Sequence, residues 1–468
     1  MVKGVILINN AIFSPVFKRL AIELKNKGVD ITIVTDSEFS IRKYKLHETK
    51  CNIISFEEFS NIKNTDVESQ AQRQYDKWNV HADYDRDNYY HSVNSKDDNF
   101  WGTVSSDLYR FFEHVFRNDM FNFVFYENVS NGLAYTANRV AEKYGVRYLG
   151  LTASRLPGKS LFSTLDDQLS REISSLIDNL PELSVDKYSE IKNYIDNIQN
   201  IQPDYMKNNG LSSVNFISKI FKKRDFTFIT ETIRQTLVGK NDLFQVGNPL
   251  LKSFYMNFRE VKRWFCVKRI KKLFSEDLTS QPFYLYPLHY HPESSTSILA
   301  KFYDEYNLIR NLSFSLPHGK FLVVKDHISA TGYEGYEFYK KILKLPNVKL
   351  ANPNLNSKEL IKKSLGVFTL TSTVGYEAVL MNKPVAVFGD VFYMGHPLVY
   401  QCRGYKDIHN ALSHMQENQT ANYYDYNIKF VGAYDYLCFP LTISYGSSSG
   451  AEFIEAISTQ ILRNLKDR

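Results

Sequence analysis

The first part of the chain alternates between patterns typical of buried strands and of helices. Residues 2–8 are an apolar run, typical of a strand buried on both faces of a parallel sheet. Apolar residues then recur with a helical period over Pro15–Lys27, Gly28 stands where a helix C′ glycine belongs, and Val29–Thr35 predicts a second strand. This β-α-β unit indicates an open α/β sheet, although its loop has no GxGxxG dinucleotide motif.

Longer insertions interrupt the first half. Residues 121–126 and 146–151 predict further strands. Residues 64–106, rich in Asp, Asn and Tyr, predict loops and short helices that either border a ligand cleft or form a solvated excursion without a role. Residues 161–206 predict helices, within a second insertion at about 161–245.

A second series of short strands and helices begins near residue 281, and it predicts a second doubly wound domain. Its predicted strands are 283–288, 321–325, 348–350, 367–370 and 385–388, and its predicted helices are 297–311, 335–345, 357–364 and 374–381. We therefore expect an N-terminal domain at 1–275, a C-terminal domain at 276–448, and a helix at 449–468 that can cross back to the first domain.

Composition fits this two-domain interpretation. The 468 residues exceed the ~250–300 at which one core stops growing, and the 43% hydrophobic and 23% charged residues exclude a disordered, collagen-like or coiled-coil chain. A net charge of +6 is too mild to indicate a nucleic-acid-binding protein, but it permits an anionic substrate.

The sequence predicts a cytoplasmic protein. Its four cysteines have no metal-binding spacing, its start lacks the features of a signal peptide, and no apolar run reaches the ~20 residues that a membrane span needs. Basic and aromatic residues interleave over 215–275, which indicates either an ordinary solvated helix face or a surface for an anionic or lipid-linked acceptor or the inner membrane.

Hydroxyl residues occupy one predicted junction between a strand and a helix. Thr371, Ser372 and Thr373 precede the helix that contains Gly375 and Glu377. Free N–H groups and the positive end of the helix dipole favour an anion at such a place, phosphate above all, and Gly375 would let a ligand approach the backbone. The same residues would also form an ordinary N-cap.

Two other strand ends in the second domain carry polar residues. Lys325 and His327 can donate to a phosphate or carboxylate, or Lys325 can form a salt bridge at the strand end. His289, Glu293 and Ser294 follow the strand at 283–288 and suggest recognition of a sugar or base. Their loop has no specific metal-ligand spacing, so no metal site is predicted.

The first domain supplies a candidate catalytic carboxylate. Glu127 follows the strand at 121–126 and precedes Asn128. It is therefore a general base, a ligand for a sugar hydroxyl, or an ordinary helix-start carboxylate. Arg155 and Lys159 can add cationic contacts to an acceptor from the same domain.

Segments of both domains resemble the capsule polysaccharide biosynthesis family of bacterial glycosyltransferases, which are Kdo-transferase-like proteins. The segments that carry the resemblance are 125–159, 287–296, 323–327, 345–364 and 369–393. The resemblance implies a GT-B fold, in which two Rossmann-like domains face an interdomain cleft and the C-terminal domain holds most of a nucleotide-sugar donor. It also implies transfer to a glycan or lipid-linked acceptor without a metal ion or other cofactor.

The resemblance also assigns roles to individual residues. In relatives, a His-Pro pair after a strand and a Ser/Thr pair before a helix hold the donor phosphate. Here His327 fits the first, although Ile328 replaces the proline, and Ser372 and Thr373 fit the second. The usual donor of the best-known relatives is CMP-Kdo, whose sugar is an ulosonic acid. Catalysis would then rest on Glu127 and His327.

Other functions stay open. A polyol-phosphate transferase of the teichoic-acid polymerase kind has a related C-terminal domain, and a nucleotide-sugar 2-epimerase would use the same fold without an acceptor. A non-catalytic module could instead bind polysaccharide during export. If Glu127 is not the catalytic carboxylate, Asp83, Asp85 and Asp87 are the next candidates.

Overall fold

The computed structural model describes residues 2–9, 11–61, 77–90, 96–201, 233, 249–291, 294–300, 302, 304–443 and 450–466. The described strands are β1 Lys3–Ile8, β2 Asp30–Thr35, β3 Asn52–Ser55, β4 Phe123–Glu127, β5 Arg147–Ala153, β6 Lys159–Ser163, β7 Phe283–Pro287, β8 Phe321–Lys325, β9 Val348–Ala351, β10 Val367–Thr369, β11 Val385–Val387, β12 Val399–Gln401 and β13 Cys438–Pro440.

Helices separate most of these strands. The described helices are α1 Ser14–Asn26, α2 Glu38–Tyr44, α3 Phe56–Asn61, α4 His81–Tyr90, α5 Asp98–Asn118, α6 Gly132–Lys143, α7 Asp166–Asp178, α8 Val185–Asp196, α9 Pro249–Ile270, α10 Ser294–Ser297, α11 Glu305–Ser315, α12 Tyr336–Ile342, α13 Ser357–Lys363, α14 Thr373–Leu380, α15 Ile408–Glu417, α16 Tyr424–Tyr436 and α17 Ala451–Lys466. No described helix is long and apolar enough to cross a membrane.

The first sheet has the strand order β13-β6-β5-β4-β1-β2-β3. Strands β1 to β5 are parallel, whereas β6 and β13 are antiparallel to their neighbours. The chain places β2 and β3 on one side of β1 and then returns to place β4 and β5 on the other. A topological switch point therefore lies between β1 and β4, and ligands of α/β sheets bind beside such points, at the carboxyl ends of the strands.

The second sheet has the order β12-β11-β10-β7-β8-β9, and all its strands are parallel. The chain first adds β8 and β9 on one side of β7, and then β10 to β12 on the other. Its switch point therefore lies between β7 and β10. The predicted α/β class with two doubly wound sheets is confirmed.

Packing divides the described chain into two units. The first comprises 2–164, 249–256 and 438–466, and the second comprises 165–201 and 257–437. The ranges expected from the sequence were 1–275 and 276–448. The division between the two units and the end of the second unit therefore both differ from the expected boundaries.

The last helix belongs to the first unit. In α17, Glu455 Oε1 lies 2.8 Å from Lys27 Nζ at the end of α1, and the backbone oxygen of Asn464 accepts a hydrogen bond of 2.6 Å from Arg147 at the start of β5. Ile457 and Ile461 of the same helix are fully buried.

Two predictions within the insertions need correction. Residues 161–206 do not begin as a helix, because β6 continues to Ser163 and pairs with β5 and β13 before α7 starts. The insertion at 64–106 contains not only short helices but also the start of α5, which is 21 residues long. Residues 62–76, 91–95 and 202–232 lie outside the described residues, so the predictions that fall on them are not addressed by the structure.

Candidate functional site

His289 joins two strand ends across the switch point of the second sheet. It follows β7, and its Nδ1 lies 3.0 Å from Glu305 Oε1. Its Nε2 lies 3.2 Å from the backbone nitrogen of Thr371, beyond β10, and 3.2 Å from the Thr369 hydroxyl. A backbone N–H can only donate, so Nε2 is the acceptor and Nδ1 carries the proton donated to Glu305. His289 therefore uses both ring nitrogens within the protein and holds the turn after β10.

Glu305 is the buried charge that holds His289. Its carboxylate accepts hydrogen bonds of 2.9 Å from Tyr286 Oη and 3.2 Å from the His289 backbone N–H, and it lies 3.2 Å from His291 Nε2. Burial alone would raise the pKa of Glu305, but the hydrogen bonds from His289 and His291 outweigh burial and lower that pKa to about 2. Glu305 is therefore an ionised acceptor at neutral pH.

The turn Thr371–Thr373 leads into α14, and two of its three backbone N–H groups are already bonded. The Thr371 N–H donates to His289, and the Ser372 N–H donates to Thr369 Oγ1 over 3.1 Å. Ser372 Oγ in turn accepts the Val374 N–H at 3.2 Å, as an N-cap does. The expectation of free N–H groups is therefore wrong at Thr371, Ser372 and Val374.

A hydroxyl donor remains at the same turn. Because a hydroxyl oxygen can accept one hydrogen bond and still donate its own proton, Ser372 Oγ–H can donate to a ligand while it caps α14. No residue in the described part of the chain accepts a hydrogen bond from this hydroxyl. An anion site at this turn stays a prediction, and it would rely on side-chain hydroxyls and the helix dipole.

Gly375 and Glu377 serve packing within the second unit. A Cβ on Gly375 would lie 2.2 Å from Tyr393 Oη, which donates to the Ser372 backbone oxygen over 2.7 Å. The close approach at Gly375 is therefore that of Tyr393. Glu377 Oε1 lies 3.5 Å from Lys358 Nζ, and both side chains are nearly buried, so Glu377 has a cationic partner inside the protein.

Lys325 and Asp326, at the end of β8, are both buried. Lys325 Nζ donates to the Pro353 backbone oxygen over 2.9 Å, and burial lowers the pKa of Lys325 to about 8, although the Asp326 charge opposes this. Asp326 accepts a hydrogen bond of 2.5 Å from Tyr339 Oη, and burial raises its pKa to about 6. At neutral pH this strand end therefore keeps a positive and a negative charge side by side.

His327 presents a neutral donor. Its Nδ1 accepts the Ser329 N–H at 3.2 Å, so the proton of the neutral ring is on Nε2. Burial, followed by the charges of Lys325 and His289, lowers the pKa of His327 to about 4, so the ring is neutral at physiological pH. Within the described ranges no residue accepts a hydrogen bond from Nε2.

The donors His327 and Ser372 stand on opposite sides of β7. Strand β7 lies between β8 and β10, and neighbouring strands are ~4.8 Å apart, so the ends of β8 and β10 are ~10 Å apart at the backbone. At that spacing the two side chains can reach one phosphate only by extending toward each other across the end of β7. They can reach separate oxygens of a larger nucleotide more easily.

The remaining predicted residues after β7 are only partly described. Ser294 begins the short helix α10, and Glu293 lies outside the described residues. His291 contacts Glu305, the same carboxylate that holds His289. Within the described ranges no group of three or more His, Cys, Asp or Glu residues could hold a metal ion.

In the first unit, Glu127 ends β4 and is half-buried. Its Oε1 accepts a hydrogen bond of 2.9 Å from Ser130 Oγ. Burial raises the pKa of Glu127, while this hydrogen bond and the charge of Arg86 oppose the rise. Asp83, which the sequence offered as an alternative carboxylate, is buried and accepts the Gly132 N–H at 2.6 Å, so it caps the start of α6.

The other predicted acceptor residues also lie in the first unit. Asn128 is exposed beside Glu127. Arg155 and Lys159 lie on either side of the turn between β5 and β6, and both are half-buried. The predicted acceptor residues thus lie in the same unit as Glu127, and the described donor residues lie in the second unit, after β7, β8 and β10.

Sequence patterns did not predict two features at the strand ends of the first unit. Tyr126 Oη donates to Asn9 Oδ1 over 2.8 Å, so a hydrogen bond also crosses the switch point of this sheet. Asp36 directly follows β2, and burial raises its pKa to about 6 against the hydrogen bonds from neighbouring hydroxyls. The sequence pattern that indicated Glu127, a polar residue at the end of a buried strand, could also have indicated Asn9 and Asp36.

The basic and aromatic surface predicted at 215–275 is described only on α9 and the turn after it. Phe258, Val261 and Phe265 are exposed there, Lys262 Nζ lies 4.5 Å from the Phe258 ring centre, and Lys268 lies over the Trp264 ring. Contact of this surface with an anionic acceptor or a membrane stays a prediction, as does the cytoplasmic location.

Residues 256–436 match the family of capsule polysaccharide biosynthesis proteins. This range includes β7 to β12 and four of the five segments that carried the resemblance, so the resemblance to the capsule polysaccharide biosynthesis family is confirmed there. The segment 125–159 lies outside the match. No curated protein matches the chain.

Solved structures similar to the chain include transferases and an epimerase. The β-Kdo 2,4 transferase of Thermosulfurimonas dismutans KpsC is 12% identical, covering 67% of this chain and 79% of that one, with a TM-score of 0.36. The β-Kdo 2,7 transferase of the same protein is 12% identical over 65% and 80%, with a TM-score of 0.30. The UDP-GlcNAc 2-epimerase of Neisseria meningitidis is 10% identical over 99% and 100%, with a TM-score of 0.25. Scores this low carry no argument about function.

We predict that Glu305→Gln destabilises the second unit in a pH-dependent way. The folded-state pKa of Glu305 is below its ordinary value of 4.5, so its stabilisation is complete above pH 4.5 and is lost as the pH falls toward 2. The free energy of unfolding should fall by about 3 kcal/mol at pH 7 and by less than half of that at pH 3. Urea unfolding at both pH values measures this difference. The exposed Glu337→Gln is the matched control, and an equal loss at both pH values would contradict the charge argument.

Proposed function

We propose that the chain is a glycosyltransferase that uses a nucleotide-activated sugar to build a capsular or other cell-surface polysaccharide. The observation that carries the proposal is a pair of oriented donors, Ser372 Oγ–H and His327 Nε2–H, at the carboxyl edge of the second sheet. Each donor is oriented by a backbone N–H, because Ser372 Oγ accepts the Val374 N–H and His327 Nδ1 accepts the Ser329 N–H. Such preorganised donors suit a phosphate that gains charge as it leaves. The family match of residues 256–436 supports the same assignment.

The donor that we propose to test first is CMP-Kdo or a related ulosonic acid, on the strength of the family resemblance. Thr371 and Thr373 would add hydroxyls to the phosphate site. Lys325, whose pKa of about 8 leaves it largely charged at pH 7, would add a positive potential beneath the site. His289 would act as a positioning residue, because both its ring nitrogens are engaged within the protein.

Glu127 is the proposed general base. In the transfer step the bond from the anomeric carbon to the donor phosphate breaks, and a bond to the acceptor oxygen forms. The acceptor proton moves to the Glu127 carboxylate, and the phosphate leaves with the bonding electrons. Burial raises the pKa of Glu127, which makes the carboxylate a better base. In this step His327 and Ser372 would stabilise the leaving phosphate.

We predict that Ser372→Ala and His327→Ala each weaken nucleotide binding by ~10-fold or more, because a hydrogen bond to a charged group contributes ~1.5–3 kcal/mol. Isothermal titration with CMP, UDP, GDP and CDP measures the affinity. Asn356→Ala is the control for Ser372, since Asn356 caps α13 by accepting the Lys358 N–H. The half-buried His414→Ala is the control for His327. If the wild type and both site variants have equal affinity for the nucleotide that binds best, that nucleotide does not bind through Ser372 and His327.

We predict that Glu127→Gln lowers sugar transfer ~10²-fold or more while nucleotide affinity stays within ~2-fold. The amide keeps the shape and the Ser130 hydrogen bond but cannot take the acceptor proton, and loss of a general base costs ~10²–10⁴-fold. Transfer of radiolabelled sugar to a glycan acceptor measures the rate, with Glu142→Gln on the exposed end of α6 as the control. A wild-type rate for Glu127→Gln would place the catalytic carboxylate elsewhere.

Transfer should also survive EDTA, because the proposed phosphate site consists of hydroxyl, imidazole and ammonium groups. The same assay, run with and without EDTA, measures this. Full loss of transfer that Mg²⁺ or Mn²⁺ restores would contradict the metal-independent mechanism. Product analysis separates the rival activities, since an epimerase releases nucleotide without an acceptor and a polyol-phosphate transferase moves the phosphate as well.

A further inference from the structure

One buried guanidinium connects helix α9 to the turn that carries His327. Arg263, on the buried face of α9, is only 1% exposed. Its Nε donates to the Thr331 backbone oxygen over 2.8 Å, and its Nη2 donates to the Ser329 backbone oxygen over 2.8 Å. Its Nη1 donates to Tyr333 Oη over 3.1 Å. A single side chain of α9 therefore bonds three residues of the turn after β8.

The same turn determines the direction of the His327 ring. The Ser329 N–H donates to His327 Nδ1 over 3.2 Å, which leaves Nε2 as the donor of the ring. The N–H groups of Ala330 and Thr331 both donate to the His327 backbone oxygen over 2.9 Å. Ser329 and Thr331 thus each bond His327 with their N–H and Arg263 with their C=O.

The turn does not contain the residue that would fix its backbone locally. The bond from the Ala330 N–H to the His327 oxygen closes a four-residue turn, in which Ile328 is the second residue. Proline is favoured at that position because its ring fixes φ, whereas isoleucine has no such ring. The order of this turn therefore depends more on hydrogen bonds from outside it, and Arg263 donates two of them to its backbone.

The end of the turn packs closely against α9. Gly332 has a φ of +89°, in the left-handed region that favours glycine, and a Cβ there would lie 2.8 Å from Val267 Cγ2. The Gly332 N–H donates to Tyr339 Oη over 2.9 Å. This close approach brings the α9 backbone near enough for the Arg263 guanidinium to reach the turn directly.

Arg263 has a partner for its buried charge. Glu260, one helical turn earlier, is 7% exposed, and its Oε2 lies 3.5 Å from Arg263 Nη1. Tyr333 Oη, which accepts from Arg263, donates to the same carboxylate. Removing one charge of such a pair is costly because the other stays buried without compensation. Lysine is therefore the informative substitution, since it keeps the charge beside Glu260 but lacks the planar fork that reaches several oxygens at once.

We propose that Arg263 is a positioning residue for the phosphate site, because it fixes the turn after β8 so that the His327 ring presents Nε2–H in one direction. Arg263 acts through His327, and its own donors are turned to the protein. The link to a phosphate rests on the proposed function. The control of the His327 ring does not, because the hydrogen bonds that carry it are present without a ligand.

Nitrogen-15 spectra of the histidine rings test this control at pH 7 in the full-length protein without nucleotide. The His327 signals, assigned by their loss in His327→Ala, should show one tautomer with the proton on Nε2. In Arg263→Lys they should shift toward a mixture of both tautomers, because Ser329 is no longer held beside Nδ1. Asn347→Ala is the control, since Asn347, just before β9, also donates to two backbone oxygens. Wild-type His327 signals in Arg263→Lys would overturn the proposal.

A double-mutant cycle tests whether Arg263 affects nucleotide binding through His327. Isothermal titration with CMP, UDP, GDP and CDP should show ~5-fold weaker binding of the best nucleotide in Arg263→Lys, if the competent ring direction is then populated about one-fifth of the time. Arg263→Lys added to His327→Ala should cause no further loss. Losses that multiply would refute the positioning role, as would a wild-type affinity of Arg263→Lys when His327→Ala binds more weakly.

Proline at the second turn position tests whether a fixed turn is the link between Arg263 and His327. The Ile328 N–H has no acceptor within the described ranges, so Ile328→Pro breaks no hydrogen bond there. Alone, it should leave the His327 spectrum unchanged. Combined with Arg263→Lys, it should restore part of the single tautomer and part of the nucleotide affinity. A loss that proline does not reduce would contradict the role of the turn.

Gly332→Ala disturbs the turn while Arg263 stays intact, and it serves if Arg263→Lys does not fold. Its Cβ would meet Val267, so the turn must move away from α9, and the His327 signals should change as they do in Arg263→Lys. Wild-type signals would show that the turn does not set the ring direction. If His327→Ala itself binds every nucleotide as the wild type does, the proposed phosphate site is wrong, and the histidine spectra alone decide on Arg263.

Discussion

The second unit depends on one buried charge, the Glu305 carboxylate, and on the imidazole that it orients. Glu305 accepts the proton of His289 Nδ1, which leaves Nε2 to accept the Thr371 N–H beyond the neighbouring strand. This chain of hydrogen bonds crosses the switch point, where β7 and β10 lie together without a short connection in sequence. Burying a carboxylate is costly unless it is fully hydrogen-bonded, so the arrangement is stable only when His289 and His291 both contact it.

That constraint determines which groups are left for a ligand. His289 takes the Thr371 N–H, Thr369 takes the Ser372 N–H and Ser372 takes the Val374 N–H, so these three backbone donors are already occupied. Two side-chain donors remain, the Ser372 hydroxyl and the His327 ring. The Ser372 hydroxyl is oriented by the hydrogen bond that it accepts from the Val374 N–H, and the His327 ring by the one that it accepts from the Ser329 N–H. The protein therefore pays the cost of orienting these groups during folding, which is the condition for electrostatic stabilisation of a leaving group.

The sequence predicts the parts of this structure that arise from local pattern. Apolar runs predict β1, β2 and β8 almost to the residue, and hydroxyls before an apolar helix predict the Thr371–Thr373 turn. It does not predict β6 and β13, because β13 pairs with a strand nearly 280 residues away and no local signal specifies that partner. Glu305 is missed for a similar reason. Within the sequence it resembles an ordinary acidic residue in the first turn of a helix, and only the fold brings it to His289.

We propose that the edge between β8 and β10 binds the phosphate of a nucleotide. A crystal structure of the chain with the nucleotide that binds best tests this claim most directly. We expect the phosphate oxygens within ~3.2 Å of Ser372 Oγ and His327 Nε2, with the hydrogen bonds from His289 to Glu305 and Thr371 unchanged. A nucleotide bound elsewhere in the second unit, or a phosphate that contacts neither side chain, would contradict it.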